Sequence, residues 1–205
     1  APPVVMRPRN LSLDQLNSCG ADHLIDIREP MAYASGHLHG SMSLPVNMLP
    51  AFAGWFIEEG QSLALIASDE EQLATAMAHL VRIALDNVVG GYVGVVPAAK
   101  GEQMQQTPMI NTSEVEDRLT EAENWTLLDV RDIDERNANA IEGSNHIYVG
   151  HLNERWHELD QNRHYTLMCA SGARATIAAG WLASRGFEHI DIYLGSMGAW
   201  QAAHD

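Results

Sequence analysis

The sequence predicts an α/β protein made of two similar domains, and two observations support this fold class. Short apolar runs alternate with stretches of helical periodicity, a pattern that favours a largely parallel sheet covered by helices on both faces. The same pattern then occurs a second time along the 205 residues. Each copy spans roughly 100 residues, which is an ordinary size for one domain.

The predicted strands are short apolar runs, and the predicted helices are longer stretches of helical composition. The strand candidates are HLIDI, LALIA and NVVGG in the first half, and TLLDV, YTLMC and HIDIY in the second. The helix candidates are EEQLATAMAHLVRIAL and ATIAAGWLASRG, the second of which ends at Gly186. Each half also begins with the spacing of a capping box, Ser12 with Gln15 and Ser113 with Glu116.

The two halves align residue by residue. At an offset of 103 residues, Asp26 aligns with Asp129 and Arg28 with Arg131, and at an offset of 102 LALIASDEEQ aligns with YTLMCASGAR. The polar segment 97–109 is predicted to be a linker, since it contains Pro97 and Pro108 and no apolar periodicity. The predicted domains are residues 1–96 and 110–205.

Composition excludes several classes of partner. The net charge is −15 and Lys100 is the only lysine, so we expect neither nucleic acid nor an anionic membrane as a partner. No apolar run approaches the ~20 residues of a membrane-spanning helix. Cys19 and Cys169 lie in settings too different to suggest a disulfide framework, so we expect a reducing, cytoplasmic compartment. The ten histidines show no HExxH motif or paired Cys/His spacing, so we expect no metal.

The six residues CASGAR, from Cys169 to Arg174, join a predicted strand to a predicted helix. Small side chains let successive backbone N–H groups point inward, and such a nest at the positive end of a helix attracts an anion. A thiol beside the nest is present more often as the thiolate, which is the reactive form. The predicted nest consists of Ala170, Ser171, Gly172, Ala173 and Arg174.

Two interpretations of Cys169 compete. Most free cysteines are buried and structural. The glycine, the arginine and the helix start favour the other interpretation, in which Cys169 is an anion-stabilised nucleophile. Arg174 then either clamps an oxyanion or braces the loop through a carboxylate. Cys19 has no comparable surroundings and is interpreted as structural.

The combination of Asp129-Val130-Arg131, a glycine-bearing turn and Cys-x-x-Gly-x-Arg at a helix start resembles the rhodanese family of sulfurtransferases. The resemblance covers almost the whole chain as a tandem pair. It implies two rhodanese-like domains, each with a largely parallel five-stranded sheet and helices on both faces. It also implies that Cys169 takes a sulfane sulfur from thiosulfate or a persulfide and passes it to cyanide or a thiol. The loop 170–174 would hold the Cys169 persulfide through backbone N–H groups, without a cofactor.

Alternatives to this function remain open. The chain could be a non-catalytic rhodanese-like binding or regulatory module, although such a module has no need to pair Cys169 with Gly172 and Arg174. Cysteine-dependent phosphatases and arsenate reductases have related folds, but their loop is one residue longer. Asp129 and Arg131 are predicted to be structural, because the first half keeps the same pair without a nucleophile.

The first half is predicted to be inactive. Ala67 aligns with Cys169 and Gln72 with Arg174, and three carboxylates replace the small loop residues at positions 69–71. Carboxylates at these positions would repel an anionic donor. The first half keeps the family's GHLHG turn at residues 36–40, which the second replaces with NAIEG, so the turn geometry of the second half is left open.

Two further segments, AFAGWFIEEG at 51–60 and DNVVGGYVG at 86–94, resemble a narrower group. They are similar to the rhodanese pair of persulfide dioxygenase fusions with a metallo-β-lactamase fold. That resemblance implies a persulfide dioxygenase domain as partner, in the same chain or a separate one. A chain that begins APPVVMRPRN is what we expect of a segment that follows such a domain.

Overall fold

The computed structural model describes residues 7–97 and 104–204, and the chain divides after Gln105 into two compact units. The predicted linker, 97–109, lies partly outside the described residues, and its described part contributes short strands to each unit. Within the described residues, no helix is both long enough and apolar enough to cross a membrane.

The first unit alternates strands and helices in the predicted order. Its elements are α1 (Leu13–Ser18), β1 (His23–Asp26), α2 (Pro30–Ser35), β2 (His37–Leu38), β3 (Met42–Ser43), α3 (Leu49–Phe56), β4 (Leu63–Ala67), α4 (Glu70–Arg82), β5 (Val88–Val93) and β6 (Met104–Gln105). The order β3-β1-β4-β5 forms a parallel sheet, and β2 pairs with β6 as a short antiparallel ladder. The central strand β4 is buried at every position, as a strand covered by helices on both faces must be.

The first unit has a four-stranded sheet, and the fifth strand position is reduced to one parallel bridge between Asn10 and Gly91. The Leu11 amide donates to the Gly91 carbonyl, and the Gly91 amide donates to the Arg9 carbonyl, both at 2.9 Å. Pairing extends no further along the chain because Ser12 already caps α1.

The second unit repeats this architecture. Its elements are β7 (Met109–Ile110), α5 (Thr112–Glu121), β8 (Trp125–Asp129), α6 (Ile133–Ala138), β9 (Asn145–His146), α7 (Leu152–Arg155), β10 (His164–Met168), α8 (Ala173–Ala183), β11 (Ile190–Tyr193) and α9 (Ser196–His204). All five strands of the sheet are parallel, in the order β7-β11-β10-β8-β9. This is the five-stranded α/β domain that the family resemblance implies.

One predicted helix start is wrong by two residues. Ser12 and Gln15 form the expected capping box of α1. In the second unit the capping box is formed by Asn111 and Glu114, and Ser113 lies inside α5. Asn111 satisfies the same amide as a serine would, because Asn and Ser cap helices about equally well. The sequence pattern therefore fits two neighbouring positions, and the strand β7 decides which residue precedes the helix.

The helix that follows β10 is anchored by burial along most of its length. Eight of its residues are buried, among them Trp181, which is 2% exposed. The strand end before the loop is also packed, because Met168 belongs to a core cluster of the second unit that includes Tyr193 and Met197. Because both the strand end and the helix are fixed by core packing, the loop between Met168 and Ala173 has little freedom to move.

Candidate active site

Cys169 lies at the carboxyl end of the central strand of the second unit. Met168, the last residue of β10, pairs with Asp129, the last residue of β8, so both strands end at the same edge of the sheet. Ligands of open parallel sheets bind at this edge, outside the carboxyl ends of the strands. The Cys169 loop therefore occupies the position where a binding site is expected from topology alone.

The Cys169 sulfur faces the inside of its own loop. The Gly172 amide donates a hydrogen bond to the Cys169 Sγ at 3.1 Å. Gly172 has a φ of +112°, a conformation that residues with a Cβ rarely adopt, so the turn requires glycine here. Gly172 is also the N-cap of α8 and offers no side chain to the first helical amides. Those amides lack intrahelical partners by geometry, so the helix start presents donors to the loop.

Ser196 fixes the Cys169 backbone, and sequence reasoning missed it. The Cys169 amide donates to the Ser196 Oγ at 3.1 Å, and this hydroxyl donates to the Tyr193 carbonyl at 3.0 Å. Ser196 is fully buried with a φ of +52°, which is uncommon for a non-glycine residue. The amides of Met197 and Gly198 donate to the carbonyls of Cys169 and Ala170, both at 3.0 Å. The start of α9 thus holds the loop from its outer side.

Arg174 braces the loop through a carboxylate, one of the two roles that the sequence left open. Its Nη1 and Nη2 donate to the two Glu135 carboxylate oxygens, at 2.5 and 2.8 Å. The pair is bidentate and partly buried, with the side chains 17% and 33% exposed. The hydrogen bonds from Arg174 lower the pKa of Glu135 to about 2. The same pairing raises the pKa of Arg174, and the nearby Cys169 charge contributes in the same direction.

Asp129 and Arg131 form a buried ion pair below the site. The Arg131 Nε donates to Oδ1 of Asp129 at 3.0 Å and its Nη2 to Oδ2 at 2.7 Å. Arg131 also donates to the side chain and the backbone of Asn139, which ties the following turn to the strand end. Asp26 and Arg28 repeat the arrangement in the first unit. An arrangement present in both units, only one of which has a cysteine at this position, supports a structural role.

The turn whose geometry the sequence left open is the same in both units, but different side chains hold it. In the first unit, the Tyr33 hydroxyl donates to the Ser41 carbonyl at 2.7 Å. In the second, the Arg136 Nη2 donates to the Ser144 carbonyl at the same distance. The Ser144 amide donates to the Ile141 carbonyl at 3.1 Å, as the corresponding amide does in the first unit. Arg136 therefore replaces the aromatic support without changing the turn.

A cavity of about 280 Å³ opens beside the loop in the second unit. It is lined by Arg131, Glu135, Ala138, Asn139, Ala170, Met197, Gly198 and Gln201. Ala170 follows Cys169 directly, and Glu135 holds Arg174, so the cavity adjoins the predicted nest on two sides. Met197, in the first turn of α9, is one of its walls.

The first unit has a cavity at the equivalent position but a different loop. The cavity has a volume of about 370 Å³ and is lined by Arg28, Ala32, Ser35, Gly36, Ser68, Gly94, Val95 and Val96. At the loop, the Ser68 amide donates to the Gln72 Oε1, and the Gln72 amide donates to the Asp69 Oδ1, both at 2.8 Å. Side chains of the loop itself therefore occupy backbone donors, and Ala67 supplies no sulfur.

Two other candidate sites considered from the sequence were a metal site and Cys19. Among residues 7–97 and 104–204, no three His, Cys, Asp or Glu side chains are arranged to hold a metal ion. Cys19 is partly buried and packs against the core of the first unit, around Leu16 and Ala64. The structure thus separates the two cysteines by environment, and only Cys169 lies at a helix start.

Comparison with known proteins agrees with this architecture. The family model for the rhodanese-like domain matches residues 11–96 and 111–203. YtwF of Bacillus subtilis (strain 168), provisionally named a sulfurtransferase, is 29% identical over 92 residues, which are 45% of this chain and 88% of YtwF. YrkF of the same strain, provisionally named a sulfur carrier protein, is 29% identical over 99 residues, which are 48% of this chain. The match spans only 54% of YrkF.

Solved structures of single domains are similar to part of the chain. A rhodanese-related protein from Thermoplasma volcanium is 27% identical with a TM-score of 0.43, covering 47% of this chain and 92% of its own. A rhodanese-like domain protein from Staphylococcus aureus is 24% identical with a TM-score of 0.44, covering 46% of this chain and 91% of its own. The two family matches together span most of the 205 residues. The chain belongs to the rhodanese family and contains two rhodanese-like domains in tandem.

Proposed function

We propose that the second unit is a sulfurtransferase in which Cys169 carries a sulfane sulfur as a persulfide. The observation that carries this proposal is the hydrogen bond of 3.1 Å from the Gly172 amide to the Cys169 Sγ, at a helix start without a side-chain cap. An amide donor stabilises a sulfur anion, and the positive end of α8 adds to this stabilisation. Membership of the rhodanese family and the provisional naming of YtwF support the same activity.

The proposed reaction has two displacement steps. The Cys169 thiolate attacks the sulfane sulfur of thiosulfate or a persulfide, the S–S bond of the donor breaks, and its electron pair leaves with sulfite or a thiolate. Cyanide or a thiolate then attacks the terminal sulfur of the Cys169 persulfide. The new S–S bond breaks, the electron pair returns to Cys169, and thiocyanate or a new persulfide leaves. Neither step consumes an oxidant or a reductant.

The chain's residues contribute positioning and charge stabilisation. The Gly172 amide donates to the sulfur, and the positive end of α8 lies at the same loop, where the thiolate and the persulfide anion of Cys169 carry negative charge. Ser196 holds the Cys169 backbone, and the Arg174–Glu135 pair fixes the end of the loop. Because these donors are already oriented before a substrate binds, little reorganisation is needed during transfer.

In this proposal the first unit has no sulfurtransferase activity. It has alanine where the sulfur is needed, and Gln72 already accepts the hydrogen bond from the Ser68 amide. Asp69, Glu70 and Glu71 are exposed next to this loop and repel anionic donors. We assign the unit a scaffold role.

The proposal extends to a partner and a compartment. The resemblance of residues 51–60 and 86–94 to persulfide dioxygenase fusions supports such a domain as partner, acting with this chain in the cytoplasm. Adding a purified persulfide dioxygenase to the chain tests this part. A shared complex, or faster turnover of persulfide in the mixture than in the sum of the parts, is expected. Two independent rates and no complex would contradict it.

Intact-protein mass spectrometry tests the central proposal. Incubation with thiosulfate, methanethiosulfonate or glutathione persulfide should add the mass of one sulfur atom, and cyanide should remove it as thiocyanate. Cys169→Ser should abolish the adduct, and Cys19→Ser should leave it unchanged. No adduct with any donor, or an adduct that persists in Cys169→Ser, would contradict a Cys169 persulfide. Turnover of p-nitrophenyl phosphate without sulfur loading would instead indicate a phosphatase.

A further inference from the structure

We propose that the second unit takes its sulfur from an organic persulfide or another donor with at most one negative charge, and that it discriminates against the thiosulfate dianion. This inference rests on the proposed function and concerns the same site. It follows from an inventory of the positive charges around the cavity, each of which the structure pairs with an internal partner.

Within residues 7–97 and 104–204, Arg131 is the one guanidinium that lines the cavity, and all its donors are occupied. An arginine has five N–H donors. In Arg131 two of them serve the Asp129 carboxylate, two serve the Asn139 side chain and carbonyl, and the fifth points to the Glu135 carbonyl at 3.4 Å. The side chain is 3% exposed, and the Asp129 carboxylate neutralises its charge. Arg131 therefore has no donor left for a substrate anion.

The two other arginines near the site are paired as well. Arg174 is neutralised by Glu135 through two parallel hydrogen bonds. Arg136 donates to the hydroxyl and the carbonyl of Ser144 and lies 3.4 Å from the Asp129 carboxylate. Among the described residues that line the cavity, the charges are one cation, Arg131, and one anion, Glu135. Asp129 acts on Arg131 and Arg136, and Glu135 and Asp132 act on Arg174. Three carboxylates therefore balance these three guanidiniums, and an incoming dianion meets no net positive charge.

The remaining attraction for an anion comes from backbone dipoles. The start of a helix carries the equivalent of roughly half a positive charge. Together with the Gly172 amide, this is enough for the single charge of a persulfide sulfur, which lies close to the loop. The sulfonate end of thiosulfate would carry further charge into a partly desolvated cavity, where unpaired charge is costly. The net charge of −15 also repels a dianion twice as strongly as a monoanion at the same distance.

The shape and chemistry of the cavity suit an organic group. Ala138, Met197 and Gly198 give its wall an apolar part, and Asn139 and Gln201 give it amide groups. In the transfer step, the Cys169 thiolate attacks the outer sulfur of R–S–SH, the S–S bond of the donor breaks, and R–S⁻ leaves with the electron pair. Cys169–S–SH keeps the transferred sulfur and then loses its proton to the leaving R–S⁻, which gives the persulfide anion and R–SH, so atoms and charge balance. The volume of about 280 Å³ leaves space for R beside the loop.

Steady-state transfer to cyanide tests the inference with three donors. Methanethiosulfonate has nearly the shape of thiosulfate but one negative charge fewer, so the pair isolates the effect of charge. We expect kcat/KM for methanethiosulfonate to exceed that for thiosulfate by at least about tenfold, with a gap that narrows as salt is added. Glutathione persulfide shows in addition whether the cavity accepts a larger organic group. Equal or faster transfer from thiosulfate would overturn this inference and leave the proposed function intact. No transfer from any of the three donors would overturn both.

A charge introduced at the cavity wall sharpens the test. Gln201→Lys places a cation among the lining residues, and Ala202→Lys places the same charge one residue further along α9, outside the lining set. We expect Gln201→Lys to raise kcat/KM for thiosulfate by about fivefold and to change that for methanethiosulfonate by less. Ala202→Lys should change the ratio of the two donors little. An unchanged ratio in Gln201→Lys would contradict a missing cation as the basis of the preference.

Discussion

The two helices that follow the central strands, α4 in the first unit and α8 in the second, begin in opposite ways. At α4, the Asp69 side chain caps the helix and Gln72 accepts from the preceding Ser68 amide. At α8, Gly172 gives no side-chain cap, and its own amide donates to Cys169. In α4 nearby side chains accept hydrogen bonds from the backbone amides at the helix start, which we call a closed start. In α8 no side chain caps these amides, so they are open to an anion. Loss of the cysteine is therefore only one of the differences between the units.

What the two units share is equally informative. Both keep the buried Asp–Arg pair after the strand that adjoins the central strand, and both keep the turn that this pair supports. Features common to an open and a closed helix start belong to the scaffold. The features that differ are the cysteine, the uncapped glycine, the Arg174–Glu135 brace and the Ser196 support, and these define the candidate site.

The largest effect is expected from moving the cysteine from the second unit to the first. In a Cys169→Ser background, Ala67→Cys supplies a thiol at the equivalent strand end of the first unit. We expect sulfur transfer to stay more than about a thousandfold below that of the unaltered chain, because removing a nucleophile has an effect of at least this size. The Gln72 side chain still occupies a loop amide. Rates of thiocyanate formation measure the effect. Recovery of a substantial rate would show that the cysteine alone separates the units.

The next largest effect concerns the glycine at the open helix start. Gly172→Ala meets no atom within 4 Å of the new Cβ, so its effect comes from the positive φ alone. We expect a loss of about 1–2 kcal/mol in the free energy of unfolding, and a drop in transfer of at least about tenfold as the Gly172 amide turns away from Cys169.

Gly40→Ala is the matched control. Gly40 has a φ of +77°, and its new Cβ also meets no atom within 4 Å, but it lies in the first unit. A similar loss of stability with unchanged transfer is expected from denaturant titration and kinetics. Equal losses of transfer in both variants would mean that strain, and not the amide at Cys169, governs activity.

A smaller effect is expected from Glu135→Gln, which removes the charge opposite Arg174. The aligned position in the first unit is Ala32, so this brace exists in the second unit alone. We expect a loss of about 1–2 kcal/mol in stability, and a severalfold drop in transfer from glutathione persulfide. Glu158→Gln breaks a bidentate pair with Arg155 on an exposed surface and serves as control. Equal behaviour of the two variants would contradict a specific brace.

The difference in stability between the unaltered chain and Glu135→Gln should depend on pH, because the pKa of Glu135 is lowered in the folded chain. The pKa is about 2 in the folded chain against an ordinary 4.5, so the folded state favours the charged form. The stabilisation is therefore complete above pH 4.5 and is lost as the pH falls toward 2. The difference in unfolding free energy between the unaltered chain and Glu135→Gln should shrink over that window. A difference that stays constant down to pH 2 would contradict the assignment.

The smallest effect is expected from acidification. It should destabilise the turn around His37 in the first unit and leave sulfur transfer unchanged. His37 is buried against the Tyr33 ring at 3.9 Å, and burial lowers its pKa to about 4. Protonation is thus easier in the unfolded chain, so stability falls as the pH decreases from 6.5 toward 4. We expect a loss of about 1 kcal/mol between pH 7 and pH 5.5. The second unit has Ala140 at the aligned position, so we expect no corresponding response there.

Hydrogen exchange, corrected for the intrinsic effect of pH, measures this difference peptide by peptide. Protection of residues 33–44 should decrease on acidification, and that of residues 136–147 should not. His37→Gln should remove the response, whereas His39→Gln, on the exposed side of the turn, should keep it. A parallel loss of protection in both segments would contradict a local origin in His37.

Sequence patterns predicted the repeat, the order of strands and helices, and the loop around Cys169. These features depend on neighbouring residues, through apolar periodicity and the spacing of glycine and arginine. The partners of the loop did not follow from the sequence. Glu135 is 39 residues from Arg174, and Ser196 is 27 residues from Cys169, and no local pattern links either pair. The capping signal at Ser113 failed because Asn111, two residues earlier, has the same spacing to a glutamate, and only the structure decides between them.

The sequence by itself determined that this chain contains two copies of one α/β unit and that one copy alone has a thiol where a strand meets a helix. Both are properties of residue type and spacing, which a linear chain carries directly. Only the tertiary structure decided which amides face the thiol, which carboxylate neutralises Arg174, and which hydroxyl holds Cys169 in place. Those choices depend on the parallel sheet, because it brings the carboxyl ends of strands distant in sequence to one edge.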